Sequence, residues 1–316
     1  MNLARLVFLT LTAMIAFASN SLLCRAALRD TNIDAATFTF IRIFAGAIAL
    51  SLILKMRAGL MAGRVLPSPR SSPKGRGPFN LREKVEMRDA GDWISALALF
   101  VYAAAFSFAY NTLSAGTGAL LLFGAVQATM ILWALRKGEQ LDSFQTVGLV
   151  AALIGLVVLG FPGLSAPSLI GSVLMLGAGV AWGIYSLRGR GVGNPIATTA
   201  GNFLRAVPFA ALISVLVIRQ MRPDSLGMIY AIVSGAITSG LGYVIWYAAL
   251  SGLNATSAAA VQLSVPVITT TGGILLLSEP ITLRYIIASV AVLGGIFLVI
   301  IKRRSAALSA PRDATD

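Results

Sequence analysis

Runs of apolar residues about one bilayer thick alternate along this chain with short polar connections. They cover 3–23, 35–56, 93–110, 115–135, 144–161, 169–187, 196–218, 226–250, 255–277 and 283–301. Each is close to the roughly 20 residues that cross a ~30 Å hydrocarbon core as helix. A helix satisfies its own backbone where no water can reach it. The runs are continuous rather than alternating, so they predict helices and not the strands of a β-barrel. The connections at 111–114, 251–254 and 278–282 leave room only for tight helical hairpins. The pattern predicts an all-α polytopic membrane protein with ten transmembrane helices.

One connection differs. Residues 58–91 are rich in proline, serine and charge, which predicts a mostly disordered loop with a short helical turn at 82–88. The first apolar run carries Ala16-Phe17-Ala18, similar to a signal-peptidase site. The repeat described below requires that run as a helix, so it is expected to stay.

Composition agrees with the pattern. Of 316 residues, 57% are hydrophobic and 12% charged, and mean hydropathy is +0.84. A soluble surface needs more charge than that. A net charge of +13 would point to nucleic acid if it covered one folded face. Instead Arg5, the basic residues from Lys55 to Arg88, Arg136, Lys137, Arg188, Arg190 and the basic tail after Lys302 fall on one side of the predicted membrane. Only Arg25, Arg29, Arg219, Arg222 and Arg284 fall on the other. This asymmetry places both termini in the cytoplasm of a bacterial inner-membrane protein, with lipid as its surroundings and no nucleic-acid partner.

The two halves of the chain are related. With a shift of about 140 residues, Glu139 falls on Glu279, Ala115 on Ala255, Ala119 on Ala259 and Gly155 on Gly295. Earlier in each half a slightly longer shift brings Phe17, Ser21 and Arg42 onto Trp182, Ser186 and Arg205. Five helices per half is an odd number, so the second copy enters the membrane from the opposite face. Inverted repeats of this kind are an architecture of secondary transporters. The first repeat takes in 1–57 and 92–162, the second 168–302, and 303–316 is left as a cytoplasmic tail.

Three motifs make the relationship specific: Gly242-Tyr243-Val244-Ile245-Trp246-Tyr247, Ala258 to Pro266 with Gln262 at its centre, and Leu276-Leu277-Ser278-Glu279-Pro280-Ile281-Thr282. They resemble the second repeat of the EamA family of the drug/metabolite transporter (DMT) superfamily. Ser114 to Gln127 and Gly138-Glu139-Gln140-Leu141 are similar to a degenerate first copy. The resemblance implies ten helices, cytoplasmic termini and export of amino acids or other small metabolites. The chain departs from it in three places: Val126 opposes Pro266, Glu139-Gln140 opposes Glu279-Pro280, and the basic loop is extra.

Polar groups within apolar runs mark a pathway best, because they are costly in hydrocarbon. Arg42 and Arg205 are repeat-equivalent and both fall near mid-depth. Each can clamp a substrate carboxylate or tie helix ends together. Gln127 and Gln262 can bind a ligand or a neighbouring helix. Trp182, Tyr185, Tyr243 and Trp246 lie deep enough to wall a cavity. Pro266 can kink the ninth helix and act as a gate. Glu139 and Glu279, at equivalent helix ends, are candidates for terminal ion pairs. Gly179 and Gly183 are expected to let helices approach closely.

Several classes are set aside by absence. There is no histidine, and the single cysteine, Cys24, allows no intrachain disulfide. No nucleotide-binding loop, nucleophile–base pair or metal-ligand set is present, so neither an enzyme nor a cofactor or metal is expected. Every carboxylate falls in a loop, a tail or a helix end, which removes the usual intramembrane proton relay. The reading is a secondary transporter of small organic metabolites, working by alternating access as a monomer or weak homodimer. The alternatives are a membrane sensor or scaffold acting through 58–91, and a lipid- or drug-translocating DMT carrier.

Overall fold

The computed structural model describes residues 3–62, 90–138, 142–160, 166–189, 194–250, 252–253 and 261–309. Most of the basic loop, including the expected turn at 82–88, lies outside them, as does Glu139. The described residues form helices and contain no strand. In chain order the helices are α1 (Leu3–Asp30), α2 (Ala35–Ala62), α3 (Trp93–Tyr110), α4 (Ala115–Arg136), α5 (Ser143–Gly160), α6 (Leu169–Arg188), α7 (Pro195–Leu216), α8 (Ser225–Leu250), α9 (Ser264–Leu277) and α10 (Leu283–Ser309). Among the described residues, α1–α4 and α6–α8 are long and apolar enough to cross a membrane. The apolar parts of α5, α9 and α10 are shorter: Ser143–Leu159, Ser264–Leu277 and Leu283–Leu298. This is a multi-pass membrane protein.

Helix starts are set by local side chains that accept the first free N–H groups. Asp92, Ser114, Ser168, Asn194 and Asp224 each accept from the backbone three residues on. Asp34 does the same for α2, taking the N–H of Ala36 and Thr37. At α5 the exchange is reciprocal. Asp142 accepts from the Gln145 N–H at 2.8 Å, and the Gln145 side chain accepts from the Asp142 N–H at 3.0 Å, a capping box.

Five helices differ from the apolar pattern. α2 continues to Ala62 and α10 to Ser309, beyond the predicted ends at 56 and 301. α1 runs on to Asp30, beyond the predicted end at residue 23. Its last turns carry Arg25 and Arg29, whose guanidiniums find carboxylates and carbonyls on neighbouring elements, so the helix continues past its apolar stretch. α8 contains a π-helical segment, Ser234–Leu241. The predicted run 255–277 is helical at 261–262, turns at Leu263 and resumes at Ser264. Pro266 therefore lies in the first turn of α9, where its missing N–H is no loss. The break falls beside Gln262, the residue whose carbonyl a proline at 266 would crowd in an unbroken helix.

Packing follows membrane rules. Leu3, Phe8, Leu169, Leu275 and Leu283 are among many large apolar side chains exposed on the perimeter. The interior is rich in alanine and hydroxyl side chains, which let helices approach. A Cβ on Gly179 would lie 2.5 Å from the Leu122 carbonyl oxygen, and one on Gly183 would lie 2.9 Å from Thr129. These two glycines thus set α6 against α4, as their spacing implied. The strongest pairings are α5 with α10, α3 and α4 with α6, and α2 with α7 and α8. α1 lies against α8 and α9.

Candidate functional site

A buried polar cluster sits where α1, α2, α3 and α8 meet. Arg42 is its charged member. It stands about eight residues into α2, or ~12 Å along the axis at 1.5 Å per residue, and is 2% exposed. Its Nη2 donates to the Tyr102 hydroxyl at 3.0 Å. The guanidinium carbon lies 5.3 Å from the Tyr102 ring centroid and 4.9 Å from that of Phe106, a distance at which a cation is attracted by a π face. Nη1 is buried with no hydrogen-bond partner. Among the described residues no carboxylate pairs with Arg42.

The neighbours extend the cluster. Asn20 donates through Nδ2 to the Tyr102 hydroxyl at 3.3 Å. Its Oδ1 accepts from the Ser234 hydroxyl at 2.5 Å and from Thr238 at 3.3 Å. Ser234 and Thr238 both lie on the π segment of α8. That segment approaches α2 so closely that a Cβ on Gly235 would lie 2.1 Å from the Arg42 carbonyl oxygen. A π turn often marks a functional site, and here it presents two hydroxyls to Asn20.

Aromatic rings enclose the cluster. Trp182 on α6 packs against Tyr102 at 4.8 Å, Tyr243 at 5.2 Å and Tyr185 at 5.4 Å between centroids. Phe17 meets Tyr243 and Trp246 edge-on, each at 5.9 Å. A narrow cavity lies among Phe17, Asn20, Ser21, Tyr102, Phe106, Leu122, Phe123, Trp182, Thr238 and Tyr243. Phe123 reaches it from α4. Gln127 follows four residues later on the same helix face, 3% exposed and with Nε2 unpartnered.

The sequence-derived candidates thus separate. Trp182 and Tyr243 line the cavity, Arg42 lies behind its Tyr102 and Phe106 walls, and Trp246 touches through Phe17. Tyr185 is shared with a second crevice beside Asp92, Arg188, Asn202 and Tyr247. Gln262 is half-buried just before the break in α9. Arg205 is occupied elsewhere. Its Nη1 donates to the carbonyl oxygens of Ala90 at 2.6 Å and Gly201 at 3.2 Å, which fixes the approach to α3. Asn202 beside it accepts from the Asp92 N–H at 2.9 Å. Sequence reasoning omitted Asn20, Ser234 and Thr238. An asparagine inside the first apolar run was a readable signal, whereas two hydroxyls aligned by a π segment were not.

The described carboxylates serve helix ends. Asp34, Asp92, Asp142 and Asp224 cap helices, and Asp30 pairs with Arg29. Glu279 accepts from the Arg25 Nε at 3.1 Å and from the Ala115 N–H at the start of α4 at 2.8 Å. Arg25 also donates to the Tyr110 carbonyl at 2.8 Å, so one ion pair ties together α1, the α3–α4 turn and the end of α9. Burial alone would raise the Asp34 carboxyl. The Thr37 hydroxyl and the Arg222 and Thr37 N–H groups outweigh it and hold the carboxyl below its usual value. Asp92 is lowered the same way: burial is overcome by Ser95 and Arg188.

Comparison with known proteins agrees with the resemblance. Residues 169–301 match the model of the EamA-like transporter family. An uncharacterized protein of Pseudomonas aeruginosa is 50% identical over 299 residues, 95% of this chain and 96% of its own length. An uncharacterized transporter of Archaeoglobus fulgidus is 32% identical over 196 residues, 60% of this chain and 70% of its own. One crystal structure shares the fold at a TM-score of 0.60 and 17% identity, covering 96% of this chain and 99% of that one.

Proposed function

The chain belongs to the EamA-like transporter family, and from that premise we propose a secondary transporter that exports small organic metabolites across the bacterial inner membrane. It crosses the bilayer ten times as two inverted five-helix repeats, with both termini cytoplasmic, and works by alternating access rather than by chemistry on its substrate.

The Arg42 cluster carries this reading. A guanidinium at mid-depth with a spare buried N–H, and with no carboxylate beside it among the described residues, suits an anionic partner. Pseudo-symmetry supports the two-repeat arrangement. The equivalent helices α5 and α10 pack on each other, as do α2 and α7. A Cβ on Gly155 would meet Ala291 and Val292, and one on Gly295 would meet Gly148 and Ala152. Residues 152 and 292 are themselves repeat-equivalent, so the two contacts exchange under the repeat. Starts of equivalent helices carry like caps: Asp34 and Asn194, Asp92 and Asp224. Two-fold-related bundles can exchange conformations and open a central site to either side.

The test is counterflow of a labelled metabolite mixture in reconstituted vesicles. Wild type is expected to accumulate at least one component and Arg42→Ala to lose it. Arg205→Ala is expected to transport in proportion to the folded protein recovered. Equal transport by wild type and Arg42→Ala would remove this site from the pathway.

A further inference from the structure

We propose that the Arg42 cluster selects a monoanionic organic acid with an apolar body, rather than a zwitterion or a cation; this rests on the transport reading above and names its substrate class. The argument is a count of donors and acceptors. The Tyr102 hydroxyl oxygen accepts from both Arg42 and Asn20, which uses its two lone pairs and leaves its own O–H to donate. The Asn20 carbonyl oxygen accepts from Ser234 at 2.5 Å, while the single Thr238 O–H lies closer to the Ser234 carbonyl oxygen, at 2.8 Å, than to Asn20, at 3.3 Å. Nη1 of Arg42 has no acceptor at all. The cluster therefore keeps a charged donor for which the described residues supply neither an acceptor nor a countercharge.

The missing partner is an acceptor that brings negative charge. A carboxylate supplies oxygens for both Nη1 and the Tyr102 O–H, in the planar geometry a guanidinium favours. Among the described residues no carboxylate pairs with Arg42 or stands in the cluster for an ammonium group, and the uncompensated Arg42 charge repels one. The described carboxylates are committed to helix caps and end pairs, and Phe17, Phe106, Trp182 and Tyr243 form the aromatic part of the cavity wall beside Arg42. Those rings suit an apolar body. A solute carrying one negative charge is also pushed outward by an inside-negative membrane potential, with no titrating group needed in the bundle.

The experiment uses three solutes with one phenylethyl body: 3-phenylpropionate, phenylalanine and phenethylamine. Efflux of each from vesicles holding the full-length protein is measured with and without an inside-negative potential set by potassium and valinomycin. The acid is expected to leave at least tenfold faster than the other two, and faster still under the potential. Arg42→Gln and Tyr102→Phe, each verified as folded by size-exclusion profile, are expected to lower acid efflux tenfold or more. Arg42→Lys is expected to restore part of it. Preference for phenylalanine or phenethylamine, or acid efflux unchanged in both variants, overturns the assignment. If none of the three moves but a component of the metabolite mixture does, the assignment falls and the transporter reading stands. If nothing moves, both fall.

Discussion

Arg42 on α2 and Arg205 on α7 are both arginines within apolar helices and have opposite circumstances. Arg205 is satisfied by backbone carbonyls at Ala90 and Gly201, and its work is to hold the chain where it enters α3. Arg42 lies against two aromatic faces, is met by one hydroxyl and keeps an N–H unspent. The same residue type stands at both positions, and the surroundings divide the roles. A charge that is fully answered is structural, whereas a charge left short of acceptors is poised for a partner from outside.

The sharpest way to break this comparison is to replace each arginine with methionine, which keeps length and removes charge. Arg42→Met is expected to lower transport about 10- to 100-fold, the loss of one or two charged hydrogen bonds. Its thermal stability should hold or rise, because an incompletely paired buried charge has been removed. Arg205→Met should do the reverse, destabilising by about 1–3 kcal/mol as the Ala90 and Gly201 carbonyls lose their donor, with transport per folded molecule little changed. Thermal unfolding in detergent alongside vesicle transport reads both. If the two variants behave alike, the distinction drawn here is wrong.

A gentler form uses the glycines behind each arginine. Gly235→Ala drives a methyl into the Arg42 carbonyl, and Gly201→Ala drives one into the Ala90 carbonyl 1.8 Å away. Both are expected to destabilise by about 1–3 kcal/mol, as overpacking does. Only Gly235→Ala should also shift substrate affinity, measured as the half-saturating concentration for counterflow.

The smallest effect is one of pH. Asp34 and Asp92 lie below their usual values in the folded protein. Their contribution is therefore complete above the unfolded carboxylate value of about 4 and is lost as pH falls through the lower folded one. Thermal stability should be flat from about pH 5 to 8 and fall only below about pH 4. Asp34→Asn and Asp92→Asn, which keep a cap, should flatten that acid limb. Arg42 has no titrating carboxylate beside it, so transport of a strong-acid anion should not follow the same curve.

Much of the fold was legible because hydrocarbon imposes a simple rule. Apolar runs of one bilayer's length became helices whose ends agree with the sequence pattern at Trp93, Tyr110, Ala115 and Leu277. The pattern failed where a polar residue found a partner far away in sequence. Arg25 reaches Glu279 across more than two hundred residues, so α1 outlasts its apolar run, and no local signal announces that. The glutamate at 279 was recognisable as a helix-end group but not as the cap of α4. At the site, single residues were readable by type and depth: Arg42 and Trp182 both meet Tyr102, and Trp182 also meets Tyr243. Arg205 passed the same test and belongs elsewhere, because depth says nothing about which carbonyls a side chain will meet. The donors on α8 were invisible, since their alignment depends on a departure from the α-helical repeat that composition does not encode.

That departure at Ser234–Leu241 has one more consequence. A wider turn inserts angular slack, so the part of α8 before it and the part after it are not in helical phase. Winding the same residues as ordinary α-helix would rotate Tyr243 and Trp246 by about 100° relative to the first turns, whereas deleting one residue from the segment would bring them back into phase. The face of α8 that meets Phe17 and Trp182 is thus set by a single residue's worth of extra winding.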